Sequence, residues 1–261
     1  MGIHQSMGQM AKEMLDETIN GHVSTLDGYV PSMSVTEDGN TAYFSQGSYQ
    51  KPLYGVFSKK ELIHEIYRAE KVNGQWANFT KLEVGPAHSS AKHPAVSADG
   101  KRLFFACDMR GGYGKYDIYV VDINRDGSVG VSKNLGPKIN TKDDELYPNI
   151  HNGTLLFFAS AGHKGFGGLD LYATQVAHNT LTPAVNLGGH INSDSDDYAI
   201  ALSPEKKMGF VVSNRGYNNT IAQHRVAYGT TPYQDLAERE SDLRTALNSV
   251  DHPIVETSFE E

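Results

Sequence analysis

The chain holds a single cysteine, Cys107, so no intrachain disulfide can form and the fold must be held by packing. Trp76 is the only tryptophan. No run approaches the roughly 18 apolar residues that a membrane-spanning helix needs. Residues 1–10 have neither the basic start nor the apolar stretch of an export signal. The expectation is either a cytosolic protein or one whose targeting segment is absent from this chain. Basic residues are in the minority, 23 Lys and Arg against 31 Asp and Glu, for a formal net charge of -8. Phosphate binding needs clustered Lys and Arg, so nucleic acid and anionic membrane are excluded as partners, leaving proteins, glycans or cations. The eleven histidines form no H-E-x-x-H or H-x-H metal-ligand spacing. No G-x-S-x-G nucleophile turn occurs.

What is present in quantity is glycine, tyrosine and phenylalanine, at 26, 14 and 10 residues, a balance that suits twisted strands joined by tight turns. The stretch from Asn140 to Tyr172 recurs once before, ending at Tyr119, and once after, ending at His224, with a fainter copy ending at Tyr67. These four end markers lie 52, 53 and 52 residues apart, and a second set, Leu82, Leu135 and Leu187, lies 53 and 52 apart. Fixed-period self-similarity of this length points to propeller blades or solenoid coils. Each unit offers a strand that carries Pro94 or Pro148 at its start, where proline is tolerated. An Asp99-Gly100 or Asn152-Gly153 turn follows, then the apolar runs Leu103–Phe105 and Leu156–Phe158, which suit a strand covered on both faces. A Gly-rich turn leads to a third strand ending in Asp117-Ile118-Tyr119 or Asp170-Leu171-Tyr172, and a short fourth strand closes the unit. Four antiparallel strands in about 52 residues make one propeller blade; a parallel solenoid would need fewer residues per coil.

The reading is therefore an all-β chain, a β-propeller of four-stranded antiparallel blades, four in number with five as the alternative, and short helices at both termini. Residues 1–21 form an N-terminal extension with Met7, Met10, Ala11, Met14 and Leu15 on one helical face. Residues 22–228 form the propeller, with repeats at about 28–87, 88–141, 142–193 and 194–228. Residues 229–261 form a C-terminal helix, started by Thr231-Pro232, and an acidic tail. In the last unit Pro204-Glu205 replaces the Asp-Gly turn and the fourth strand is missing, and His22–Leu26 is expected to supply it and close the ring.

Candidate sites lie in loops. Asn140, Asp144 and Glu145 precede the third unit, and Asn192, Asp196 and Asp197 precede the fourth in the same register, so they should gather at one end of the channel. Such oxygen-rich clusters suit Ca²⁺ coordination and equally suit turn capping against the neighbouring blade. Residues 46–60 are an insertion relative to the other units, and its Tyr49, Tyr54 and Phe57 are candidates for a binding face. Asp122, Asn124 and Asp126 match the first half of a calcium loop, but Lys133 stands where the bidentate Glu belongs. Asp117 and Asp170 recur, which favours a structural bond to a turn over catalysis. Cys107, at the place of Ser160 and Ser213, reads as a small buried residue and not a nucleophile.

Asn134-Leu135-Gly136, Ile139-Asn140-Thr141, Asp144-Glu145, Pro148 and Gly167–Tyr172 together resemble the WD-repeat-like units of TolB and OmpA-family envelope propellers. The nearest resemblance is to the propeller module of PorE-type lipoproteins of the type IX secretion and gliding machinery. The similarity spans residues 28–228 and is most specific in the middle two units. It implies a non-catalytic scaffold, periplasmic and outer-membrane associated, that docks onto envelope proteins, an outer-membrane protein among them, without spanning the membrane itself. Neither an OmpA-like domain after the propeller nor a TolB-like domain before it is present, so the chain is expected to be an excised module or a stand-alone relative. No cofactor beyond Ca²⁺ is implied. The alternative is a glycan-binding or glycan-active propeller with carboxylates at the channel mouth, which aromatic platforms beside those carboxylates would favour; Tyr147 and Tyr198 are near them in sequence but are expected to begin strands.

Overall fold

The computed structural model describes residues 33–50, 61–177, 180–203 and 208–227. The expected terminal helices, the closing strand at His22–Leu26 and the Pro204-Glu205 turn lie outside these residues. Every strand pairing is antiparallel, and the strands form four sheets in chain order. The first blade runs β1 (Met33–Val35), β2 (Thr41–Gln50), β3 (Glu61–Val72) and β4 (Gln75–Lys81). The second runs β5 (Ala91–Val96), β6 (Arg102–Cys107), β7 (Asp117–Asp122) and β8 (Lys133–Asn134). In the third, β9 (Glu145–His151), β10 (Leu155–Ser160) and β11 (Asp170–Ala177) are edged by two short pieces, β12 (Thr180–Leu181) and β13 (Val185–Asn186), both paired with β11. That sheet has five strands where four were expected, because its edge is interrupted between the two pieces. The fourth blade shows three strands among the described residues, β14 (Asp197–Ser203), β15 (Met208–Ser213) and β16 (Ala222–Ala227). The first strands of successive blades, β1, β5, β9 and β14, pack on one another in turn, which places them innermost.

Register demonstrates the repeat. Phe44 faces Tyr67, Phe105 faces Tyr119, Phe158 faces Tyr172 and Val211 faces His224, so the four end markers occupy one structural position. In the first three blades the facing rings stack, with centroids 5.7, 6.0 and 5.8 Å apart. The second marker set agrees: the N–H groups of Leu82, Leu135 and Leu187 donate to Ile66, Ile118 and Leu171.

The apolar runs split between two cores because successive side chains on a strand point to opposite faces. Leu103 and Phe105 join Tyr43 and Ile66 between blades one and two. Phe104 turns the other way and meets Leu156 and Phe158 between blades two and three, and Leu155 and Phe157 meet Ile200 and Val211 between blades three and four. Each large buried side chain contributes about 1.5–3 kcal/mol, so the interleaved phenylalanines weld the blades without a disulfide.

One expectation is corrected. Pro94 and Pro148 are the fourth residues of β5 and β9, not their first. Both inner strands bulge there, with His93 and Tyr147 at φ 55° and 51°. An extra residue breaks the ladder locally, so the missing proline N–H costs no strand hydrogen bond.

Candidate functional site

The polar loops that lead into β9 and β14 hold the blades together. Asn140 Oδ1 accepts the Ile118 N–H at 2.8 Å, and its Nδ2 donates to Ile118 O at 3.0 Å and to Asn134 Oδ1 at 2.8 Å. Asn192 repeats the set on Leu171 and Asn186, at 2.8, 3.0 and 3.0 Å. Each amide is buried and clamps the backbone of the preceding blade's third strand. Glu145, also buried, accepts from Thr141 N–H, Thr141 Oγ1 and Ser160 Oγ. Asp197 accepts from Ser193 N–H and pairs with Arg215. Burial pushes the Glu145 carboxyl above its ordinary value, with the Ser160 and Thr141 hydrogen bonds acting against it. Asp196 is engaged as well, Oδ1 accepting the Leu169 N–H and Oδ2 the Tyr198 hydroxyl and Asn214 Nδ2. Asp144 is half-buried and its carbonyl accepts the Ala161 N–H.

The Gly-rich turns press against these same loops. A Cβ on Gly114 would collide with the carbonyl oxygens of Thr141, at 2.5 Å, and Asp143, and one on Gly167 with those of Ser193, at 2.9 Å, and Ser195. Only glycine lets the two backbones approach so closely. Asp117 and Asp170 set the turns by accepting N–H groups: Tyr113 and Gly114 on Asp117, Phe166 and Gly167 on Asp170.

A second cluster lies along the inner strands near this rim; sequence reading singled out its Tyr147 and Tyr198 but missed His93 and the stacking that joins them. His93 stacks on Tyr147, with centroids 3.8 Å apart, and Tyr147 meets Tyr198 edge-on at 5.7 Å. His93 Nδ1 accepts the Tyr147 N–H at 3.3 Å. The bulges aim these rings, as bulges commonly re-aim side chains. Beside them, Lys92 Nζ lies 3.8 Å over the Tyr116 ring. Burial pulls Lys92 below the ordinary lysine value while Asp144 and Asp108 act against it. Burial, with Lys92 and His64 beside it, pulls His93 well below the usual histidine range, and burial with Asp196 nearby pushes Tyr198 up to about 12. The available signal was the shared His93-Pro94 and Tyr147-Pro148 spacing.

Tyr49 is 69% exposed, on a β2–β3 hairpin that continues four residue pairs past the point where β6 and β7 part. It faces Leu62, exposed as well. Tyr54 and Phe57 lie outside the described residues. At the hairpin after β7, Asn124 Nδ2 donates to Ser128 Oγ, and Asp126 Oδ1 accepts from Ser128 N–H and Oγ, while Asp122 ends the strand. Among the described residues no three His, Cys, Asp or Glu side chains gather as a metal site. Cys107 is buried, faces Ala91 where Ser160 faces Glu145, and burial raises its thiol to about 11. At the opposite rim a cavity of about 610 Å³ opens between blades one and two, lined by Tyr43, Arg68, Asp99, Lys101 and Arg125 among others. No helix among the described residues is long and apolar enough to cross a membrane.

No protein-family model matches the sequence, and no curated protein does. Among solved structures the chain is similar to TolB from Acinetobacter baumannii, at 16% identity and a TM-score of 0.44, covering 75% of this chain and 41% of that one. It is similar to the periplasmic gluconolactonase PpgL of Pseudomonas aeruginosa, at 14% and 0.42, covering 78% and 59%. An alpha-L-arabinofuranosidase from Lactobacillus brevis gives 12% and 0.49, covering 75% and 70%. The chain spans less than two thirds of the first two. With TM-scores below 0.5, none of these likenesses bears on activity.

Proposed function

We propose that this chain is a non-catalytic propeller scaffold that docks other proteins of the bacterial cell envelope, on the periplasmic side and at the outer membrane, as a component of a secretion or gliding machinery. The observation that supports the docking reading is how the carboxylates are engaged. Glu145, Asp197, Asp117 and Asp170 recur from blade to blade and bind the frame, whereas catalysis needs one set of groups in a singular setting. What differs between blades and faces solvent is the extended β2–β3 hairpin with Tyr49 and Leu62, an aromatic and an aliphatic side chain paired across two strands. Exposed tyrosine is among the usual anchors of protein interfaces, and Leu62 extends the apolar surface beside it. The envelope location and the machinery rest on the residue-level resemblance to envelope propellers.

The test is capture of partners from envelope extract by the intact chain and by Tyr49→Ser/Leu62→Ser. A partner that is held by the intact chain and lost with the double variant, the variant's melting temperature being unchanged, is the expected result. Identical partners with both chains would remove the hairpin from the docking face. Hydrolysis of a glycan that disappears with Asp144→Ala would overturn the non-catalytic reading.

A further inference from the structure

One residue pair, matched across the second and third strands of each blade, is apolar in blades two and three: Phe104 faces Val120 and Phe157 faces Ala173. In blade one the same pair is Tyr43 and Arg68, and it stays inside, with Tyr43 2% exposed and the Arg68 side chain 18%. Blade four also has an arginine there, Arg225 opposite Phe210, but it is exposed. A buried hydroxyl and guanidinium need polar partners that the hydrocarbon of the sister blades does not. A second departure opens the space beside this pair. At the following junction Arg102 reaches across and donates from Nη2 to Gly153 O at 2.7 Å. Thr41 stands at the place of Arg102 and Gly100 at that of Gly153, and threonine is too short to span the gap. Both line the cavity of about 610 Å³ at the rim opposite the Tyr49 hairpin. That volume lies in the range small ligands occupy.

In this cavity wall Arg68 is held but not satisfied. Its Nη1 pairs with Glu70 at 2.7 Å, and the turn at Gly127 lies on its guanidinium, where an added Cβ would stand 2.8 Å from Cζ. Its Nε is buried and has no hydrogen-bond partner. A planar fork fixed in advance with a donor left over suits a carboxylate oxygen. The rest of the lining bears on the ligand's net charge. Arg68, Lys101 and Arg125 stand against Glu37, Asp38 and Asp99, three charges of each sign. Asp38 accepts from Thr36 Oγ1 and the Asn40 N–H, and Asp99 from Ser97 Oγ and the Lys101 N–H, which favours the charged form of both. On Asp99 both bonds fall on Oδ1, so its other oxygen can take a cation. Walls balanced in this way, with Glu70 behind Arg68, oppose a polyanion and suit a ligand that carries both signs.

We propose that the cavity between blades one and two binds a free amino acid or short peptide as the zwitterion, its carboxylate on Arg68 Nε and its ammonium on Asp99. Each departure of blade one from its sisters then has a use: Thr41 leaves the space, and Arg68, fixed by Glu70 and the Gly127 turn, supplies the donor. The proposal does not rest on the docking reading, which uses the hairpin at the other rim.

The test is isothermal titration calorimetry of the intact chain with trialanine, with its C-terminal amide and with its N-acetyl derivative. Trialanine should bind, and either cap should weaken binding by at least about tenfold, since each removes one of the two charges. Tyr43→Phe/Arg68→Val copies the pair of the second blade and should abolish binding. Thr41→Arg copies Arg102, leaves Arg68 in place and lays a side chain across to Gly100, so it should block the cavity at an unchanged or raised melting temperature. That variant guards against misfolding of the first. Absence of trialanine binding, or binding indifferent to both caps or to both variants, would overturn the proposal. Inorganic phosphate bound in preference to trialanine would overturn it too, and would mark a plain anion site.

Discussion

The junction between blades one and two differs from the two that follow it. Between two and three, and again between three and four, a buried asparagine clamps both backbone groups of one residue in the preceding blade. Between one and two no such amide occurs among the described residues. Ser90 Oγ accepts the His64 N–H, the Ser90 N–H donates to Asp108 Oδ1, and Ser34 Oγ accepts the Val96 N–H. The apolar core is continuous across all three junctions, so burial joins the blades and the amide clamp is one way among others to satisfy the polar groups at the rim. Where that device is absent, the chain carries the extended hairpin. Recurrence marks the frame, and departure from it marks the surfaces free to act.

The largest effect expected from breaking this comparison is at the clamps. Asn140→Ala strands the buried N–H of Ile118, whose C=O keeps the Leu135 N–H, and Asn192→Ala does the same to Leu171, whose C=O keeps the Leu187 N–H. Each should cost roughly 2–4 kcal/mol, from one unsatisfied buried N–H and two further lost hydrogen bonds. Ser90→Ala should cost about 1 kcal/mol, since it removes only the part-buried bonds of the Ser90 hydroxyl to the His64 N–H and ring Nδ1. Urea denaturation of the three variants measures this. Equal losses at all three positions would erase the distinction between the junctions.

A smaller effect should separate the glycines. Gly114→Ala and Gly167→Ala drive a methyl group into backbone carbonyls that cannot rotate away, at about 1–3 kcal/mol. At the first junction a Cβ on Gly85 would meet Ser89 Oγ at 2.8 Å. That side chain can turn aside, so Gly85→Ala should cost under about 1 kcal/mol. Thermal unfolding of the three proteins tests the ranking, and a Gly85 loss as large as the others would show a rigid first junction too.

The strand order, the blade register and the alternation of Leu103, Phe104 and Phe105 between two cores were legible in the sequence, because period and apolar pattern are local properties. The same period revealed the Asn140 and Asn192 loops but not their targets. A polar side chain at a fixed register could face solvent or the neighbouring backbone, and only the position of Ile118 and Leu171 decides between these. Tyr147 and Tyr198 were visible beside the carboxylates, but the ladder they form with His93 was hidden for another reason. Its bulges add a residue opposite one on the partner strand, so a count of alternating positions assigns the rings to the wrong face.

His93 offers the last way to sharpen the comparison, since it lies on the second blade's inner strand, faces the third blade's Tyr147, and has no counterpart at the clamps. Its folded pKa lies well below the ordinary 6.5, because burial and the neighbouring Lys92 and His64 oppose the charged ring. In the window from about 6.5 downward the unfolded chain therefore binds a proton that the folded chain does not. Stability rises with pH across that window and is lost as pH falls, by up to about 1.4 kcal/mol per pH unit for one such proton. His64 and His151, also lowered by burial, act with the same sign, whereas the raised carboxyls of Glu145, Asp170 and Asp108 act against it nearer their own range. His93→Asn keeps an acceptor for the Tyr147 N–H and tolerates the left-handed backbone at φ 55°. Urea unfolding between about pH 7.5 and 5.5 should show a shallower dependence on pH in this variant than in the parent chain. An unchanged slope would mean that the proton is taken up elsewhere, and that the stacked ring at the second junction is already charged in the folded protein.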